Sequence, residues 1–82
     1  MTARVLVVDD LVPNVRLLEA KLRAEYFEVV TATSGQDCVD LAKVQSPDIV
    51  LLDVMMPGLD GFETCEILKK DPMTCHIPVV MV

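Results

Sequence analysis

Four short aliphatic runs, spaced by segments long enough for a helix, constrain this chain more than anything else in it. Val5 to Val8 is followed at once by Asp9-Asp10, and the run from Ile49 to Asp53 is aliphatic up to its closing acid. A run apolar at every position has no face to offer water, so both read as strands covered on two sides. Glu28 to Ala32 and Pro78 to Val82 complete the set, each rich in β-branched residues, which suit a strand.

The segments between them carry helix signals. Pro13 suits a first helical turn, and Val15, Leu18 and Leu22 recur at helical spacing to about Glu25, with Leu11 one turn earlier. Ser34 and Asp37 form an S-x-x-D capping signature. It opens a helix to about Val44, with Cys38, Leu41 and Ala42 on its inner face, and Ser46-Pro47-Asp48 breaks it. Asp60, with Glu63 three residues on, caps a third helix whose apolar side is Phe62, Cys65 and Leu68; Asp71-Pro72 stops it. The order β-α-β-α-β-α-β predicts an α/β fold, a doubly wound parallel sheet with right-handed crossovers.

With 82 residues, 52% of them hydrophobic, the chain has room for one small globular domain. It shows no repeats, low-complexity segments or interdomain linkers. A formal net charge of -6 argues against a nucleic-acid surface, which needs a basic patch, and suits a cation site. No run of 18 apolar residues occurs to span a membrane, and Asp9-Asp10 interrupt the N-terminal run too early for a signal peptide. Cys38, Cys65 and Cys75, odd in number and without a CxxC pair, read as reduced thiols of a cytoplasmic protein.

The acids remain to be explained. A carboxylate at the end of a buried strand is costly without a partner. In open parallel sheets ligands bind beyond the carboxyl ends of the strands. If the first and third strands are neighbours, Asp9, Asp10 and Asp53 converge at one crevice and repel one another unless a cation lies among them. Magnesium fits, since it takes hard oxygen ligands and keeps positions for water and phosphate. An Asp can also act as a nucleophile and form an aspartyl phosphate. Phosphoryl transfer asks mainly for positioning and charge neutralisation, which matches acids without an obvious general base.

The motifs VLVVDD and DIVLLDVMMPGLDG resemble the response-regulator receiver domain, with paired acids after the first strand and D-x-x-M-P-x-x-D-G after the third. The resemblance covers essentially the whole chain and implies the flavodoxin/CheY-like (βα)5 fold, strand order 2-1-3-4-5. It implies that Asp53 accepts phosphoryl from a sensor histidine kinase. Asp9 and Asp10 would hold magnesium with Asp53, and the backbone carbonyl of Met55 would complete the protein ligands. The stretch NVRLLEAKLRAEYFEVVTATSG is further similar to the first receiver of PleD-type diguanylate cyclase regulators. That implies a diguanylate cyclase output or a second receiver elsewhere in the parent, with a homodimer as one arrangement. The receiver would take part in its own phosphorylation without being a turnover enzyme.

Against the family pattern, residues 1–82 supply only β1-α1-β2-α2-β3-α3-β4. The Ser or Thr beyond the fourth strand and the Lys after the fifth fall outside them. The expectation is therefore the N-terminal part of a receiver. Ile77, Val79, Val80, Met81 and Val82 would form an open, apolar edge.

Other readings stand beside these. Asp9-Asp10 could cap a helix, Asp60 is a cap rather than a ligand, and Gly58 and Gly61 serve turn geometry and close packing. Met55-Met56 suit core filling, Tyr26-Phe27 buried anchors rather than contacts, with an exposed Tyr26 pointing instead to a partner surface, and Lys69-Lys70 a solvated helix end. A zinc site from Cys38, Cys65, Cys75 and His76 fits no familiar spacing. A magnesium-dependent phosphatase of the haloacid-dehalogenase type would want D-x-D on one strand. A pseudo-receiver that scaffolds partners without phosphorylation is the remaining rival.

Overall fold

A computed structural model describes residues 2–82. The elements run β1 (Arg4–Val8), α1 (Val12–Ala24), β2 (Glu28–Ala32), α2 (Gly35–Gln45), β3 (Ile49–Leu52), α3 (Gly61–Lys70) and β4 (Val79–Met81). The four strands are parallel in the order β2-β1-β3-β4, so β1 and β3 are neighbours, as the convergence of the acids requires.

Strand parity divides the apolar residues between two layers. Val5 and Val7 face α1, forming a layer with Val15, Val29, Leu18, Leu22, Ile49 and Leu51. Leu6 and Val8 face the other way, into a larger cluster with Cys38, Val39, Ala42, Val50, Leu52 and Leu68. Every side chain of Val5 to Val8 is thus buried on one face or the other, which is why that strand shows no polar alternation. The strand β1 is buried on both faces while β4, at the edge, stays partly exposed, and the strands end together at one rim.

Local signals set the ends of the helices. Ser34 accepts a hydrogen bond from the Asp37 amide at 3.1 Å, as the capping signature predicts. Asp60 and Glu63 form a reciprocal capping box. Ser46 ends α2 in the left-handed conformation, φ 47°.

Several expectations about side chains need correction. Tyr26 is not a buried anchor: it is 87% exposed, and Phe27 is exposed too. The cause lies in how α1 ends. The Tyr26 amide bonds to the Arg23 carbonyl and the Phe27 amide to the Leu22 carbonyl, a Schellman closure with Tyr26 in the left-handed position at φ 67°, which directs its ring outward. Leu11 is also exposed; as the N-cap of α1 it stands outside the helix's inner stripe.

On α3 the inner residues are Gly61, Thr64 and Leu68. Phe62 is 65% exposed, because the close packing of Gly61 and Thr64 against neighbouring backbone rotates it away. Met56 is core filler but Met55 is exposed. Lys69 is more than a solvated helix end: its ammonium donates to the carbonyls of Cys75 and Ile77, tying α3 to the approach to β4. Ile77 is fully buried and not part of the open edge, whereas Val80 and Val82 are exposed there. The three cysteines are free thiols at graded depth: Cys38 buried, Cys65 half-buried, Cys75 exposed.

Candidate functional site

Register builds the site. Val8 pairs with Leu52 across β1 and β3, so the next residue on each strand, Asp9 and Asp53, leaves the sheet at the same level. The backbone keeps them there: the Asp53 amide donates to the Val8 carbonyl at 2.9 Å and the Asp9 amide to the Ala32 carbonyl at 3.2 Å. Asp10 follows in the turn into α1. One carboxylate oxygen from each of Asp9, Asp10 and Asp53 lies within 4.8 Å of the others, and all three residues are half-buried.

Each acid is held differently. Asp9 Oδ1 accepts from the Leu11 amide at 3.0 Å and Oδ2 from the Asn14 side-chain amide at 3.3 Å. Asp53 Oδ1 accepts from the Met55 amide at 3.3 Å. Asp10 takes no protein hydrogen bond among the described residues. All four ion pairs among the described residues lie elsewhere: Arg4–Glu28, Arg23–Glu19, Lys43–Asp71 and Lys70–Glu66. Three carboxylates therefore share a crevice with no lysine or arginine paired to them, an arrangement that a hard divalent cation would neutralise. The donor set fits magnesium: oxygen only, few protein ligands, and open to solvent.

The loop after β3 is clamped from below. The Gly61 amide donates to the Val54 carbonyl at 3.0 Å, and a Cβ on Gly61 would meet the Asp53 carbonyl oxygen at 2.5 Å and Val54 Cα at 2.7 Å. Only glycine lets α3 start this close to the backbone of Asp53, so close packing is what Gly61 supplies. Beside this loop Val54, Met55, Met56, Pro57, Asp60 and Phe62 line an open depression of about 440 Å3, which accounts for two of the exposed apolar side chains.

The structure thus brings Asp9, Asp10 and Asp53 together and sets Met55 two residues beyond Asp53 at the mouth of the crevice. Asp60 is kept out of it by its capping box. The sequence reading missed Asn14. Its signal was an amide side chain one turn into the helix that follows the acid pair, in reach of the first acid. Cys38, Cys65, Cys75 and His76 form no metal-binding group among the described residues.

Comparison with known proteins agrees with this geometry. Residues 5–82 match the family "Response regulator receiver domain". The chain is 62% identical over its full 82 residues to response regulator PleD of Caulobacter vibrioides, of whose length it spans only 18%. Its fold superposes with TM-score 0.94 on the N-terminal domain of a response regulator receiver protein from Methanoculleus marisnigri JR1, 42% identical, covering 95% of this chain and 63% of that one. A second solved structure, 26% identical with TM-score 0.92, covers 99% of this chain and 66% of that one; it is the receiver domain of a sensor histidine kinase from Pseudomonas aeruginosa PAO1 with a magnesium ion coordinated in the active-site cleft. Fold, motif register and these likenesses agree, and the chain belongs to the response regulator receiver domain family.

Proposed function

We propose that this receiver accepts a phosphoryl group on Asp53 from a phosphohistidine of a sensor histidine kinase, with magnesium held by Asp9, Asp10, Asp53 and the Met55 carbonyl. The observation that carries the reading is the gathering of three carboxylates within 4.8 Å at the carboxyl ends of β1 and β3, none of them in an ion pair with a lysine or arginine among the described residues. The Met55 amide occupies Asp53 Oδ1, which leaves Oδ2 as the attacking oxygen. It bonds to phosphorus as the bond from phosphorus to the donor nitrogen breaks, and Asp53 becomes an aspartyl phosphate. Magnesium, when bound, offsets charge on the phosphoryl oxygens. Asp9 and Asp10 keep the crevice anionic enough to hold it, and the Gly61 contact keeps the backbone of Asp53 from shifting during attack.

Residues 1–82 are, in this reading, the N-terminal part of a receiver. The likeness to PleD supports a parent with further domains, among them a second receiver or a diguanylate cyclase output, with a homodimer as one arrangement. This segment serves as the switch of that parent and not as a turnover catalyst. No helix among the described residues is long and apolar enough to cross a membrane.

Acetyl phosphate and magnesium should add one phosphoryl group to the full-length protein, detected by mass spectrometry, and Asp53→Asn should abolish it. Persistence of the adduct in Asp53→Asn would refute the assignment. Absence of any adduct in the unaltered protein, with kinase or acetyl phosphate, would favour a scaffold that is not phosphorylated.

A further inference from the structure

Asn14 has no part in the function proposed so far, yet among the described residues it is the one neutral side chain bonded to the acidic cluster. We propose that Asn14 is a positioning residue for the metal site, holding the Asp9 carboxylate in the orientation that a divalent cation needs. The inference rests on the magnesium reading above and deepens it.

The geometry is specific. Asp9 accepts one N–H on each oxygen, from the Leu11 amide and from Asn14 Nδ2, so its carboxylate cannot rotate without losing one of them. Asn14 is itself anchored. Its backbone amide donates to the Leu11 carbonyl at 3.0 Å, and Pro13 beside it stiffens the first turn of α1. A carboxylate offers about four lone-pair directions, so two remain for a cation or for water bound to it.

The choice of residue type matters as well. A lysine or arginine in this place would pair with Asp9 and compete with the cation. An amide orients the carboxylate and leaves its charge intact, as the outer partners of metal ligands do. A bland alternative exists: the N-cap of α1, Leu11, has no side-chain capping bond, and the bonds to Asp9 could serve only to start the helix.

Metal affinity separates the two. Manganese, which takes the same carboxylate and water ligands, is titrated into the full-length protein and followed by water-proton relaxation, with magnesium as competitor. Asn14→Leu should weaken binding about tenfold, within the range for partners that orient metal ligands. In the Asp9→Ala background the same substitution should change affinity no further, because the carboxylate through which Asn14 reaches the metal is gone. Metal-free melting identifies folded variants, and Asn14→Ala replaces Asn14→Leu if the latter fails to fold. Wild-type affinity in the Asn14 variant, or equal weakening in both backgrounds, would overturn the proposal and leave the magnesium reading standing. Failure of the unaltered protein to bind either ion would remove both.

Discussion

Cys38 shows how far burial governs single groups in this protein. Burial, and secondarily the neighbouring Cys65 thiol, push its pKa from 9.0 to about 12. The folded state therefore keeps a proton that the unfolded chain releases. This contribution to stability is fully present below pH 9.0 and is lost as pH rises toward about 12. Denaturant midpoints measured at neutral and alkaline pH should fall less steeply with pH in Cys38→Ala than in the unaltered protein; parallel slopes would contradict this. Asp71 moves the other way, held below the usual carboxylate range by the Met73 amide and then by Lys43, so what it contributes is lost only in acid. The residues with the sharpest chemistry were legible in the sequence, because Asp9, Asp10 and Asp53 each follow an apolar run that ends abruptly. Asn14 and Tyr26 were not. Their roles depend on side-chain reach and on a left-handed backbone turn, and neither leaves a mark in hydrophobic periodicity.

Among the elements, the β3–α3 connection is the most demanding, and its two glycines should respond differently to substitution. Gly61→Ala places a Cβ against the backbone of Asp53 and Val54, atoms that cannot turn aside as a flexible side chain could. It should cost about 1–3 kcal/mol, as overpacking does, and slow phosphorylation of Asp53. Gly58, at φ 74° with open space around it, should cost roughly 1–2 kcal/mol for the left-handed conformation alone, with Asp53 phosphorylation unchanged. Melting curves and acetyl phosphate kinetics on both variants check this; equal kinetic effects would show that the clamp at Gly61 is irrelevant. Helix starts were legible for Ser34 and Asp60 because capping is a local matter of a few residues. The inner face of α3 was not, since Phe62 is the more apolar choice and only the tertiary contact favours Gly61 and Thr64.

At the scale of the molecule, a sheet with apolar residues on both faces leaves β4 at its edge, with Val80 and Val82 exposed. The segment Met1–Val82, prepared by itself, should associate through that edge. Sedimentation reads this directly, and a monomer with a cooperative melt would count against it. The sequence alone made the parallel sheet legible, but the neighbouring of β1 and β3 rested on family likeness, because local signals do not encode which strands pair. Register carries one more consequence, for how such a chain can change over generations. Side chains alternate along β1 and β3, and Asp9 and Asp53 both step off at the level where Val8 meets Leu52. Replacing one aliphatic residue by another leaves that level untouched. Inserting or deleting a single residue within either strand would turn its carboxylate to the opposite face and slide it about 3.3 Å along the strand. Lineages descending from this chain should therefore vary freely in which aliphatic residues fill these strands, while the number of residues in each stays constant.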